Sequence, residues 1–166
     1  MKRMAMATVL GFLTACSGGG SPTAPTPPAS IAGPYEVRIT ASSSCSANLP
    51  SDARALVFVS DVTQTGAAVQ MQLVGHQGGT VTVSGTVSGQ TVTFTSLSLS
   101  ETLGRGATLA ASGSATVGAN GSLTGTINGT YQAPSGASCN AANHQFEMIK
   151  LCPQPTPNGT ALLPCA

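Results

Sequence analysis

YEVRITASSSC, residues 35–45, and CNAANHQFEMIK, residues 139–150, are the two stretches that decide how this 166-residue chain folds. In the first, Tyr35, Val37 and Ile39 alternate with Glu36, Arg38 and Thr40. A period of two places apolar side chains on one face of a β-strand. The second leads into a like run, His144 to Leu151, in which Phe146 and Met148 share a side. Cys45 lies just past the early strand and Cys139 just before the late one. If the two strands are antiparallel neighbours, both cysteines fall at one end and a disulfide can join them. Pairing the first strand with the last closes a sheet into a barrel and removes its exposed edges.

Six further strands are expected between them. Arg54 to Val62 is a more continuously apolar run around Leu56, Val57, Phe58 and Val59. After a Thr65-Gly66 turn, Val69, Met71 and Leu73 alternate with glutamines. Val81, Val83 and Val87 follow, and Ser88-Gly89-Gln90 turns the chain back into Val92 and Phe94. Leu97 to Gly106 breaks the rhythm and reads as a loop. Ala107 to Val117 and Ser122 to Tyr131 flank Ala119-Asn120-Gly121, a hairpin signal. Eight closely spaced strands without an amphipathic helix predict an all-β domain over residues 31–151. Its expected form is an eight-stranded antiparallel up-and-down barrel, with a β-sandwich as the alternative.

The first sixteen residues, MKRMAMATVLGFLTAC, have a charged start and an apolar run from Met4 to Leu13. That run falls short of the roughly 20 apolar residues a spanning helix needs. It reads as an export signal, set aside in fold reasoning. Its end, Leu13-Thr14-Ala15-Cys16, resembles the lipobox of bacterial lipoproteins. The resemblance implies a signal peptide over 1–15, cleavage before Cys16, and a diacylglycerol on that thiol. The new amino terminus would then take a further acyl group such as palmitate. Two or more chains anchor a protein stably. Ser17, where an aspartate often marks inner-membrane retention in that family, points to the outer membrane. Residues 16–30, rich in Gly, Ser and Pro, read as a tether from the membrane.

The remaining cysteines, Cys45, Cys139, Cys152 and Cys165, are even in number, and an exported chain implies disulfides among them. Three pairings exist. Cys152 and Cys165 bracket CPQPTPNGTALLPC and are expected to close this tail, residues 152–166, on itself, which leaves Cys45 for Cys139. A bridge closing about 95 residues contributes roughly 4 to 5 kcal/mol in the loop-entropy account. Zinc fits poorly, since CxxC spacing is absent and neither His76 nor His144 has a second ligand at metal-site spacing. No metal or cofactor is therefore expected.

Charged residues make up only 7% of the chain, too few for a strongly charged surface. Loss of Lys2 and Arg3 with the signal leaves four basic against five acidic residues, and so no basic footprint for nucleic acid. No serine lies in a Gly-x-Ser-x-Gly elbow; Ala111-Ser112-Gly113-Ser114-Ala115 only brushes that pattern and reads as strand. Glu36 and Glu147 could in principle act as paired carboxylates. They alternate outward, however, on strands that also carry Arg38 and Lys150, so cross-strand charge pairing is the preferred reading. His144 shares the phase of Phe146 and Met148; it reads as a hydrogen-bonded rim residue or a ligand contact. Asn128-Gly129-Thr130 and Asn158-Gly159-Thr160 match the glycosylation sequon, a match read as coincidental in a bacterial export context. Gly85, Gly113, Gly125 and Gly129 fall inside strands, where they mark tight bends or clear space for a ligand.

The whole pattern resembles uncharacterised small β-domains of bacterial lipoproteins and, in architecture, lipocalin-like barrels. The early Gly-x-Trp of lipocalins has no counterpart, for the chain has no Trp. Two non-enzymatic readings result. In one, the barrel binds a small apolar molecule or an envelope partner, and Tyr35, Phe58, Met71, Phe94, His144, Phe146 and Met148 line its interior. In the other it is a structural or interaction module acting through its loops and outer face. A hydrolase acting on envelope material ranks third. An eight-stranded interior is wide enough for packed side chains or one small molecule, so filled and hollow barrels both stay open.

Overall fold

The structure, a computed structural model, describes residues 26–45, 47–51, 54–74, 79–99, 108–133, 135–156 and 159–165. Residues 1–15, Cys16, most of the expected tether, His76 and most of the 97–106 loop lie outside them.

The described strands are β1 (Gly33–Thr40), β2 (Ala55–Thr65), β3 (Ala68–Val74), β4 (Thr80–Ser88), β5 (Thr91–Leu99), β6 (Thr108–Val117), β7 (Leu123–Gln132), β8 (Ser138–Thr156) and β9 (Gly159–Pro164). Each of the first eight pairs antiparallel with the next, and β8 returns to β1, with Ile39 opposite Phe146 and Arg38 opposite Glu147. The sheet is a closed up-and-down barrel. Cys45 and Cys139 are bonded at one end of the β1–β8 seam, their Cα atoms 5.5 Å apart and 94 positions apart in sequence. That mouth is the distal one, and the mouth where β1 begins is the proximal one. Cys152 and Cys165 form the second bridge.

Alternation along each strand sets which side chains fill the barrel. Leu56, Phe58 and Val62 of β2 are buried, as are Val69, Met71 and Leu73 of β3, while Val57, Val59 and Val74 face out. Described outside positions are mostly Thr, Ser and Gln. An outer-membrane barrel has the reverse polarity, an apolar band on the outside, so this wall suits water.

Two bulges explain where simple alternation fails. In β5, Phe94 and Leu97 both point inward although three positions apart, and the register shifts between them. The strand thus runs on to Leu99, two residues past the start of the expected loop. In β8 the register shifts opposite Ile127 and Gly129, between Ala141 and His144. An extra residue bends a strand and re-aims its side chains, so Cys139 and His144, five positions apart, both face inward. β8 accordingly begins at Ser138, six residues before the expected start at His144.

The interior glycines let neighbouring strands approach closely, and Gly85 also lies against the Phe94 ring. Phe94 stands between Gly85 and Gly113 in register, and Phe146 stands opposite Gly125. The two rings meet edge to face, 5.2 Å between centroids, an arrangement aromatic pairs favour. A Cβ on Gly125 would fall on the Ser114 carbonyl and 2.6 Å from the Ala115 Cα. One on Gly129 would lie 2.7 Å from the Ala111 Cα. At both places the neighbouring backbone occupies the space a side chain would need.

Described residues reach into the core at both mouths. At the proximal one the Ala29 N–H donates to the Gly89 carbonyl (2.8 Å). The Gln64 side chain accepts the Ile31 N–H (2.8 Å) and donates to the Ala29 carbonyl (2.9 Å). This stitching seats Ile31 in the core. Leu49 does the same at the distal mouth.

β8 overruns the barrel. From Leu151 to Thr156 it pairs with β9 alone, as a two-stranded ribbon projecting at the proximal mouth. The disulfide-closed tail expected from sequence is thus a ninth strand and its partner.

Candidate functional site

The candidate site lies at the distal mouth, beside the β1–β8 seam. Past Thr40 the Ala41 N–H donates to the Arg54 carbonyl (2.7 Å), and residues 43–45 make one 3-10 turn that ends at the bridging Cys45. Ser42 is fixed from behind by His144. Its backbone N–H donates to the imidazole Nδ1 (3.1 Å), which leaves Nε2 to carry the proton and donate to the Gly129 carbonyl (3.0 Å). Arg54 folds back, its Nε donating to the Leu49 carbonyl (2.9 Å). The β8 bulge sets Asn143 outward beside Gln145, whose Nε2 donates to the Asn143 carbonyl (3.3 Å).

Between these groups is a half-open cleft of about 430 Å³, lined by Thr40, Ala41, Ser42, Ser43, Arg54, Asn143 and Gln145. Hydroxyls and amides dominate this described lining, with one guanidinium and no carboxylate. Such a surface can donate and accept hydrogen bonds and hold a partner by shape. Its described lining offers no nucleophile with a base beside it, the arrangement acyl transfer requires.

All seven side chains expected to line a ligand chamber do point into the barrel. Tyr35, Met71 and His144 are 0% accessible, Phe146 and Met148 1%, Phe94 2% and Phe58 3%. An accessible fraction of zero leaves no water-sized void beside a side chain. These residues belong to, or adjoin, one continuous cluster with Val37, Ile39, Leu73, Val92, Leu123, Ile127 and Tyr131. Tyr35 donates its hydroxyl to the Gly121 carbonyl (3.1 Å), and the Lys150 ammonium lies 5.7 Å from its ring centroid. Burial pushes the Tyr35 hydroxyl up to about 12 from an ordinary 10. His144 has both ring nitrogens engaged within the fold.

Glu36, Arg38 and Glu147 are neighbours across the seam, as expected. The described ion pair nevertheless runs along one strand, from Arg38 Nε to Glu36 Oε1 at 2.6 Å. Both side chains reach solvent, so the pair contributes little. Among the described residues no three His, Cys, Asp or Glu side chains converge as metal ligands would.

The cleft is not legible in the sequence. Thr40, Ser42, Ser43, Asn143 and Gln145 look like ordinary surface positions; the β1–β8 pairing sets Gln145 opposite Thr40, and the bulge turns Asn143 outward beside them. The mismatch of phase between Cys139 and His144 was the one available signal. Comparison of the chain with family models, with curated proteins and with solved structures finds no match in any of the three.

Proposed function

We propose that this chain is an exported, lipid-anchored protein of the bacterial cell envelope that acts without catalysis, binding an envelope partner through its distal mouth. The anchor reading rests on the Leu13-Thr14-Ala15-Cys16 lipobox and its charged, apolar leader, and Ser17 favours the outer membrane. One observation carries the choice of surface. The described interior side chains are buried against one another, the seven expected ligand contacts at 3% accessible or less, which favours recognition on the outside. On the outside, the distal mouth offers a concave surface that carries hydroxyl and amide side chains and is braced by the Cys45–Cys139 bridge. Loops held on a rigid scaffold are where binding is usually built.

A photo-crosslinking residue at Ser43 or Asn143 tests this in the living envelope. A discrete adduct from both positions, lost when the probe moves to the barrel wall at Thr82, is the expected result. Adducts independent of position contradict it. So does a rise in melting temperature with small apolar molecules, because ligands that bind only the folded state stabilise it. Mass spectrometry tests the anchor: the mature protein should begin with an acylated peptide at residue 16.

A further inference from the structure

The β8–β9 ribbon has no core of its own. Two-stranded ribbons are marginal in water, and this one is held by the Cys152–Cys165 bridge at its base. Its two faces differ. On one, Cys152, Gln154, Ala161 and Cys165 are half-buried and Leu163 is exposed. On the other, Pro153, Pro155, Leu162 and Pro164 are all exposed, with Thr160 the one exposed hydroxyl among them, next to half-buried Leu151. Residues 151–165 contain no charged side chain and no histidine.

The edges are as unusual as the face. The Cys165 N–H donates to the Lys150 carbonyl, which fixes the bonded and non-bonded pairs of the ladder. Pro153, Pro155 and Pro164 then occupy positions whose N–H would point away from the partner strand, and proline has none. On β9 only Thr160 and Leu162 keep an outward donor. A partner strand adding to this edge would meet few donors, so a protein strand is a poor occupant.

From these features we infer that the exposed Leu/Pro face of the ribbon rests on the lipid surface to which Cys16 is anchored. The inference deepens the anchoring reading and rests on it. Placement favours lipid over other occupants. The ribbon projects from the proximal mouth, where the N-terminal segment also meets the barrel at Gly89 and Gln64. The chain from Cys16 to Thr26 spans at most about 35 Å, and a strand the length of β9 reaches about 20 Å. An uncharged apolar face within that distance of a bilayer gains by leaving water. The second contact would hold the barrel upright, with its distal mouth away from the membrane.

The chain's lack of Trp makes the test direct. Leu162→Trp is introduced into the full lipidated protein, and the protein is reconstituted in vesicles of phosphatidylcholine and phosphatidylglycerol carrying brominated acyl chains. The expected result is a blue-shifted emission that loses about half its intensity to the bromines, while Val57→Trp on the distal wall is unchanged. If the protein floats with the vesicles and Leu162→Trp emits equally with plain and brominated lipid, the ribbon contact is wrong and the anchor stands. If the protein does not float, the anchor reading fails and this inference with it. A blue shift that grows with protein concentration in detergent alone means that a second copy covers the face, and overturns the lipid assignment.

Discussion

Residues 138–150 and 151–156 belong to one uninterrupted strand, but their surroundings differ. The first stretch is walled by β7 and β1 and sends Phe146 and Met148 into a shared core. The second has β9 on one side and solvent on the other, and its prolines stay exposed. Each has a disulfide. In the barrel the bridge spans 94 positions and braces a mouth already held by packing; in the ribbon it spans 13 and substitutes for packing. The same bond therefore does two jobs, and the local density of buried contacts decides which.

Removing each bridge separates the two jobs most clearly. Replacing Cys45 and Cys139 together by alanine should cost about 4 to 5 kcal/mol of global stability, since a long loop is released in the unfolded chain. Denaturant unfolding measures it. Replacing Cys152 and Cys165 should leave that global transition nearly in place and raise amide exchange only in β9 and the end of β8. Equal effects on the global transition would erase the distinction between the two regions.

Gly125→Val sharpens the barrel side. The added side chain meets the Ser114–Ala115 backbone, which cannot rotate aside, so a loss of about 3 kcal/mol is expected. Leu162→Ser in the ribbon should stay within about 0.5 kcal/mol, the usual range for an exposed site. Thermal unfolding of the two variants compares them.

Alkaline pH should also act on the barrel. The fold favours the neutral Tyr35 phenol, so its contribution is whole below pH 10 and is lost as the pH climbs through about 12. Tyr35 is buried but lies at the proximal mouth, close to bulk solvent, and about 1 to 2 kcal/mol is expected. Tyr35→Phe should flatten this part of the stability profile, and urea unfolding between about pH 9 and about 12 would show it.

The alternation in β1 to β4 and the Asn120-Gly121 hairpin were readable because water on one side and core on the other impose a period of two. First-to-last closure was readable through Cys45 and Cys139. The bulges were not, since an extra residue in β5 or β8 leaves no mark in composition; Leu97 looked like the start of a loop for that reason. The role of Gly85, Gly113 and Gly125 was half legible. Sequence showed the missing side chains but not what takes their places, the Phe94 ring and Thr93 carbonyl at Gly85 and the neighbouring strand's backbone at Gly113 and Gly125. None of the cleft's lining stood out, only His144 behind it, whose partner Ser42 lies 102 positions away. Proline hid the ribbon, because Pro153, Pro155 and Pro164 argue against a strand unless each sits at a non-bonded edge position.

Recognition on the outer surface requires a filled barrel. Methyl-resolved NMR of the folded protein, titrated with small aliphatic and aromatic molecules, measures this directly. With the interior filled, the Met71, Met148, Leu73 and Ile127 methyl signals should stay where they are while surface signals drift weakly and without saturation. Saturable shifts at those interior methyls would mean that a ligand enters, and would return recognition to the inside of the barrel.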